Sequence, residues 1–419
     1  MQLKNNFKRG LKNLWIALII SALVIPPFAN ASGKYLSPLP LPNMEVLNVE
    51  SQKCSTSCLK ELLEKEQVFS FIAKIDENNQ NKEMIEQLNQ FLSQLEISEI
   101  PYFLGLQKSL FHIALLFPRK AIGRYSSTTM NTILSYLLLQ RGGFNFEVFD
   151  SQGESLEDLQ AALEKIYAKG HRQVIAVLTQ EGANHLATMR KDLSIFIPSV
   201  HKSQILSNAN DSSHLIFGGI SYEEQIKKLS EIQPHIRAAS FYDSGNIGKQ
   251  MQQYTQASNE NLQLSKSFSL KQGSELPKEI KALRGALQGT RIFLNTPITN
   301  SSIILSQLTY NSIRPNGIYS TQINYNPSLL SITQERDRKN MFIANSIAPL
   351  DSLFVEQAKL LDVDLEYDWI NYATAFGIEY FYRKSSPGAK RYFKERIKDN
   401  QVQYNIEILT PTNNRFAPL

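Results

Sequence analysis

Ile113-Ala-Leu-Leu-Phe-Pro-Arg-Lys-Ala-Ile-Gly123-Arg-Tyr decides how this chain is read. An unbroken apolar run from Ile113 to Phe117, stopped by a proline, has the length and composition of a strand buried on both faces, and a proline cannot donate to a sheet ladder. A glycine follows, and then an amphipathic stretch from Thr128 to Gln140 at helical spacing. The same alternation continues downstream. Strands are expected at Phe144 to Phe149, Gln173 to Leu178, Ser194 to Ile197, His214 to Gly218, Ala238 to Tyr242, Leu264 to Phe268, Arg291 to Leu294, Gly317 to Gln322 and Met341 to Ala344. Helices are expected between them, among others at Leu156 to Ala168, Gly182 to Arg190, Tyr222 to Glu231, Ile247 to Gln256, Pro277 to Leu287 and Ser302 to Ser312. Strands separated by helices of this length specify parallel sheets with helices on both faces. There are too many strands for one compact sheet, so the fold class is α/β in two Rossmann-like lobes.

Outside this region the character changes. Lys4, Lys8, Arg9 and Lys12 precede an apolar run from Leu14 to Ile25, which leads to Pro26, Pro27, Phe28, Ala29, Asn30 and Ala31. A basic start, a short apolar centre and a small-x-small end are the parts of a secretory signal, and the apolar run is too short to span a bilayer. Residues 1–31 are therefore read as a signal peptide cleaved after Ala31, and the protein as periplasmic and not integral to the membrane. Cleavage takes four cations from the 44 Lys and Arg, leaving 40 against 39 Asp and Glu. A nearly neutral chain gives no electrostatic case for nucleic acid.

Residues 32–110 read as a proline-bearing leader followed by a helical preface, with helices at Leu59 to Asp76 and Lys82 to Leu95. Cys54 and Cys58 stand four apart in an oxidising compartment, where a disulfide is favoured over metal or redox roles. Lobe 1 is expected over 111–235 and lobe 2 over 236–345, with 346–419 returning to lobe 1, carrying a last strand at Gln403 to Leu409 and ending in a C-terminal surface extension at Thr410 to Leu419.

The opening segment, together with Phe146-Glu-Val-Phe-Asp150-Ser-Gln-Gly and the strand Val174-Ile-Ala-Val, resembles the first lobe of type I periplasmic binding proteins. Ala375-Phe-Gly377-Ile-Glu-Tyr380 resembles a helix of the subgroup that includes the outer-membrane activators of penicillin-binding proteins. The resemblance spans about residues 111–385 and implies two lobes with a cleft between them. The subgroup's valine-glycine-proline-leucine turn is replaced here by Ala176-Val-Leu-Thr179-Gln-Glu-Gly-Ala, and Arg119 and Lys120 stand where small polar residues are expected. Both changes weigh against amino-acid binding of the family's usual kind.

Ligands of open parallel sheets sit beyond the carboxyl ends of the strands, near helix N-termini. That rule selects Arg124, Tyr125, Ser126 and Ser127, then Thr179 and Gln180, in lobe 1. In lobe 2 it selects Tyr242, Asp243 and Ser244, then Asn295 and Thr296. The same Ser and Asp positions also suit ordinary helix caps. The six histidines show no metal-ligand spacing, and no nucleophile elbow, phosphate loop or dinucleotide fingerprint appears, so neither catalysis, metal nor cofactor is expected. The acidic run Asp362, Asp364, Glu366 and Asp368 reads as a solvated loop closing in a cap. Trp369, Tyr372, Phe376 and Tyr380 form a core-facing stripe, with Phe381 and Tyr382 off it as a candidate partner-facing patch. The functional expectation is a non-enzymatic scaffold or regulator within an envelope protein complex (peptidoglycan, flagellar, secretion or transport machinery). The alternative is a receptor for a small polar ligand, an amino acid or similar, feeding a transporter.

Overall fold

The computed structural model describes residues 54–75, 82–94, 111–140, 143–189, 192–206, 214–268 and 276–419. The expected signal and leader lie outside the described residues. The preface contributes α1 (Thr56–Glu64), α2 (Val68–Lys74) and α3 (Lys82–Gln94). They share a small core of Leu59, Phe71, Ile72, Ile75, Met84 and Leu88. Ser55 caps α1 by accepting from the Cys58 N–H, and the Cys54–Cys58 disulfide closes the loop around that cap with Cα atoms 5.4 Å apart.

Two seven-stranded sheets follow. The first contains β1 (Phe111–Phe117), β2 (Phe144–Asp150), β3 (Gln173–Ala176), β4 (Ser194–Ile197) and β5 (Leu215–Phe217). The second contains β6 (Ala238–Asp243), β7 (Leu262–Phe268), β8 (Arg291–Asn295), β9 (Gly317–Ser320) and β10 (Met341–Asn345). Within each sheet these five strands lie in the order 2-1-3-4-5 and pair in parallel, for example Ala114 opposite both Glu147 and Val174, and Ser240 opposite both Ser265 and Phe293. All ten strands expected within 111–345 are present, with ends shifted by at most a few residues.

The intervening helices are α4 (Arg119–Leu139), α5 (Leu156–Ala168), α6 (Gln180–Ala187), α7 (Tyr222–Ser230), α8 (Asn246–Ser258), α9 (Leu276–Ala282), α10 (Arg284–Leu287), α11 (Ile298–Tyr310) and α12 (Pro327–Ile332). They are followed by α13 (Ser352–Leu360) and α14 (Trp369–Ser385). Alternation along β1 sends Ile113, Leu115 and Phe117 to a core shared with α4, α13 and α14, and Ala114 and Leu116 to a core shared with α5 and α6. Both faces of the sheet are thus covered, which explains why its strands read as continuous apolar runs.

Four points depart from the sequence reading. α4 begins at Arg119, nine residues before the expected start, because Pro118 acts as its N-cap and the chain runs on through a kink at Ile122 (φ −130°, ψ 19°). α7 packs on the second sheet, against α8 and β10, so the first crossing between lobes lies at Gly218–Ser221 and not near 235. The surface extension expected at Thr410 to Leu419 is instead structured, and the strand expected at Gln403 to Leu409 is divided between the two sheets. β11 (Arg396–Lys398) and β12 (Gln401–Gln403) complete the first sheet, whereas β13 (Glu407–Pro411) and β14 (Phe416–Pro418) form a hairpin on the edge of the second. The chain therefore crosses between lobes three times, at 218–221, 346–351 and 404–406. Phe381 and Tyr382 are buried, and α14 is enclosed on nearly every side, so the patch expected there is core. The acidic run is a loop: Asp364 accepts from the Glu366 and Tyr367 N–H groups, and Asp368 caps α14 through Ile370 and Asn371.

Candidate functional site

In an open sheet of order 2-1-3-4-5, the loops after the first and third strands diverge to opposite faces and leave a crevice. The residues chosen from sequence fall at the two such points. Arg124 to Ser127 lie in the first turns of α4 after β1, and Thr179 and Gln180 open α6 after β3. In the second lobe, Tyr242 to Ser244 end β6, and Asn295 and Thr296 end β8.

The chain's own groups occupy most of these positions. Glu154, in the loop after β2, places its carboxylate over the start of α6. It accepts from the Thr179 N–H at 2.7 Å and, through its other oxygen, from the Thr179 hydroxyl. Its backbone carbonyl accepts from His185 Nδ1 at 2.6 Å, which fixes that loop to the helix. Gly182 gives the carboxylate room, since a Cβ there would fall 2.5 Å from Glu154 Oε1. Gln180 donates to the Gln204 carbonyl at 2.8 Å, and Ser126 to the Gly123 carbonyl at 2.7 Å. In lobe 2, Asp243 accepts from the Gly245 N–H at 2.8 Å. Asn295 and Thr296 are 1% and 0% exposed, the first donating to Ser240 and Thr255, the second paired with Ser301 at 2.8 Å. Among the described residues, Ser127, Tyr242 and Ser244 are the candidates whose side chains have no hydrogen-bond partner and reach the surface. Beside Glu154 a cavity of about 440 Å³ is lined by Lys120, Ser155, Glu157, Glu181 and His185.

No family model matches the sequence, and no curated protein matches it. Solved structures do. A putative branched-chain amino acid ABC transporter protein from Rhodospirillum rubrum superposes with TM-score 0.57 at 10% identity, covering 74% of this chain and 100% of the other. An extracellular ligand-binding receptor from Verminephrobacter eiseniae gives 0.54 at 10% identity over 74% and 99%. The fold is that of the type I periplasmic binding proteins. The C-domain of LpoA from Haemophilus influenzae, a regulator of PBP1A, gives 0.47 at 11% identity over 74% and 99%, a likeness too loose to bear on function.

Within this binding-protein fold, sequence reasoning missed the contacts that hold the two lobes at the hinge. The Trp369 indole at the start of α14 lies beside the Tyr222 hydroxyl at the start of α7 and acts to lower its pKa. Burial, with smaller contributions from Tyr125 and Asp368, pushes the Tyr222 hydroxyl up to about 12. Burial likewise raises the Asp368 carboxyl above the ordinary carboxylate range, against the two N–H groups that it caps. Gln225 of α7 accepts from the Gln322 N–H at 2.9 Å and donates to Ser346 at 2.7 Å, where the chain leaves lobe 2. Across the mouth, burial lowers the pKa of His201, opposed by Glu223. Among the described residues, no group of three His, Cys, Asp or Glu could hold a metal ion, and no helix is long and apolar enough to cross a membrane.

Proposed function

We propose that this chain is a non-enzymatic, exported protein of the cell envelope that uses the binding-protein fold as a scaffold or regulator, acting through contacts with other envelope proteins. The observation that carries this reading is the seat of Glu154 on Thr179. A helix N-terminus at a switch point is a ready site for a ligand carboxylate, and here a carboxylate from the same chain fills it with an N–H and an O–H bond. Burial of Asn295 and Thr296 supports the same reading from the opposite lobe. The cavity beside Glu154 favours the receptor as the alternative.

A melting screen separates the two. A receptor gains several degrees with its ligand by mass action, whereas the scaffold is expected to show no shift with amino acids, short peptides, sugars or aromatic acids. A reproducible gain with any of them overturns the scaffold reading. In cells, mild crosslinking is expected to trap the protein with a larger partner, and recovery of free monomer alone counts against it.

Glu154→Ala tests the seat itself. Loss of a charge-assisted pair of bonds costs about 1.5–3 kcal/mol. The variant is therefore expected to melt several degrees lower, and acetate at high concentration to restore part of the loss by occupying the vacated N–H and hydroxyl. Equal stabilisation of variant and parent by acetate sinks the idea.

A further inference from the structure

Between Arg383 and Lys398 the chain carries seven Lys and Arg and one Glu. This strand-and-turn segment wraps the C-terminal half of α14 and encloses a cavity of about 450 Å³, lined by Phe376, Glu379, Tyr380, Arg383, Lys384, Arg391, Glu395, Arg396 and Ile397 among others. The cavity lies wholly on lobe 1, away from the switch points. Lys390 is paired with Asp351 at 2.9 Å, but none of the other six cations has an ion pair among the described residues. Arg391 spends its guanidinium on the carbonyls of Phe393, Lys394 and Glu395, and so shapes the turn with its charge unneutralised. Lys384 and Arg396 are exposed, and their side chains have no hydrogen-bond partner among the described residues.

Two carboxylates lie beneath this rim. Glu379, 4% exposed, is satisfied by the Tyr392 and Phe393 N–H groups at 2.7 and 3.3 Å. Glu395, 8% exposed, accepts from the Tyr372 hydroxyl through one oxygen, and the other oxygen has no partner. A buried acceptor left open is costly and calls for a donor. The wall that carries Arg396 and Ile397 is β11, the outermost strand of the first sheet. It pairs with β12 on one side, and no described strand lies on its other side.

We infer that this edge is a docking site for an extended, acidic segment of a partner protein, which adds to β11 as a further strand and sets its carboxylates among Lys384, Arg391 and Arg396. Strand addition supplies affinity through backbone hydrogen bonds, and flanking pockets supply the choice of side chain. The segment's N–H groups provide a donor for Glu395, which an inorganic anion lacks. The partner's being a protein rests on the scaffold reading; the site does not overlap the cleft.

The test uses the intact purified protein and fluorescently labelled peptides alternating Glu and Val, with a Lys and Val counterpart. The acidic peptide is expected to bind and the basic one not. Methylating the backbone nitrogens of alternate residues is expected to abolish binding in one register and spare it in the other. The exposed-site variant Lys384→Glu/Arg396→Glu, which breaks no internal bond, is expected to weaken binding about tenfold. Absence of binding by the acidic peptide, indifference to methylation in both registers, or full competition by free glutamate or phosphate each overturns the proposal. None of these results touches the melting screen or the crosslinking, so failure here is distinguishable from failure of the scaffold reading.

Discussion

Arg291→Met is expected to destabilise the second lobe by about 3–5 kcal/mol, the range for breaking a buried charged network. Arg291 opens β8 and is 1% exposed, with no carboxylate partner among the described residues. Its guanidinium instead collects carbonyl oxygens from the turn between α7 and β6. It donates from Nε to Ile236 at 3.1 Å, from one terminal nitrogen to Ser230 and Ile232 at 2.9 and 3.1 Å, and from the other to Pro234 and the Asn259 side chain at 3.3 and 2.9 Å. Apart from Asn259 these acceptors belong to a turn with no regular ladder; the Pro234 carbonyl also accepts from the Asn261 side chain at 3.2 Å, and Arg291 is what satisfies the others. Methionine fills similar volume but leaves several buried oxygens without donors, each a desolvation cost of about 1–3 kcal/mol. Arg291→Lys keeps the charge, yet one ammonium reaches at most three acceptors and lacks the planar fork. It is expected to recover less than half of the loss. Denaturant unfolding measures both, and amide exchange should show the excess opening at 230–238. A loss under about 1 kcal/mol for Arg291→Met defeats the argument, because burial and bonding would then have been misjudged together.

The sequence shows the strands because parallel strands covered on both faces must be apolar along their centres, as Ile113–Phe117 of β1, Ile195–Ile197 of β4 and Ile292–Leu294 of β8 are. It also points to the loops where a site is expected, since those follow from strand order. It does not show how those loops are filled. Glu154 meets Thr179 across 25 residues of separation, through side-chain geometry that no spacing rule encodes. α4 starts before the spacing from Thr128 suggests because proline suits a helix start and a helical glycine such as Gly123 costs only about 1 kcal/mol. The tail from Thr410 to Leu419 reads as an extension because Pro411 and Pro418 lie within it. Both belong to the outer hairpin of the second sheet, where proline is tolerated. Pairing of β12 with β5 and of β13 with β10 joins segments far apart in sequence, and only the fold as a whole specifies it.

Gly377 turns a sequence resemblance into packing. The glycine of Ala375-Phe376-Gly377 lies on the face of α14 that meets β4, where a Cβ would stand 2.6 Å from Phe196 Cε1 and 2.9 Å from its Cγ. The Phe196 ring cannot retreat easily, because a second glycine, Gly218 at the first lobe crossing, leaves only enough room on that side. A Cβ there would meet Phe196 Cζ at 2.6 Å. The ring therefore occupies a slot between two residues without side chains, and is fully buried. In an exposed helix Gly→Ala gains about 1 kcal/mol. Here overpacking of about 1–3 kcal/mol opposes that gain, so Gly377→Ala is expected to be neutral to destabilising. Gly377→Val, larger and β-branched, is expected to cost about 3 kcal/mol or more. The decisive measurement is a double-mutant cycle with Phe196→Leu. Alone that change leaves a void and destabilises; combined with Gly377→Val it makes room for the new methyls. The pair is expected to be more stable than the sum of the single effects by at least about 1 kcal/mol. Additivity within about 0.5 kcal/mol would mean that the helix and the ring are not in contact as described, and that the glycine is there for some reason other than the approach of α14 to β4.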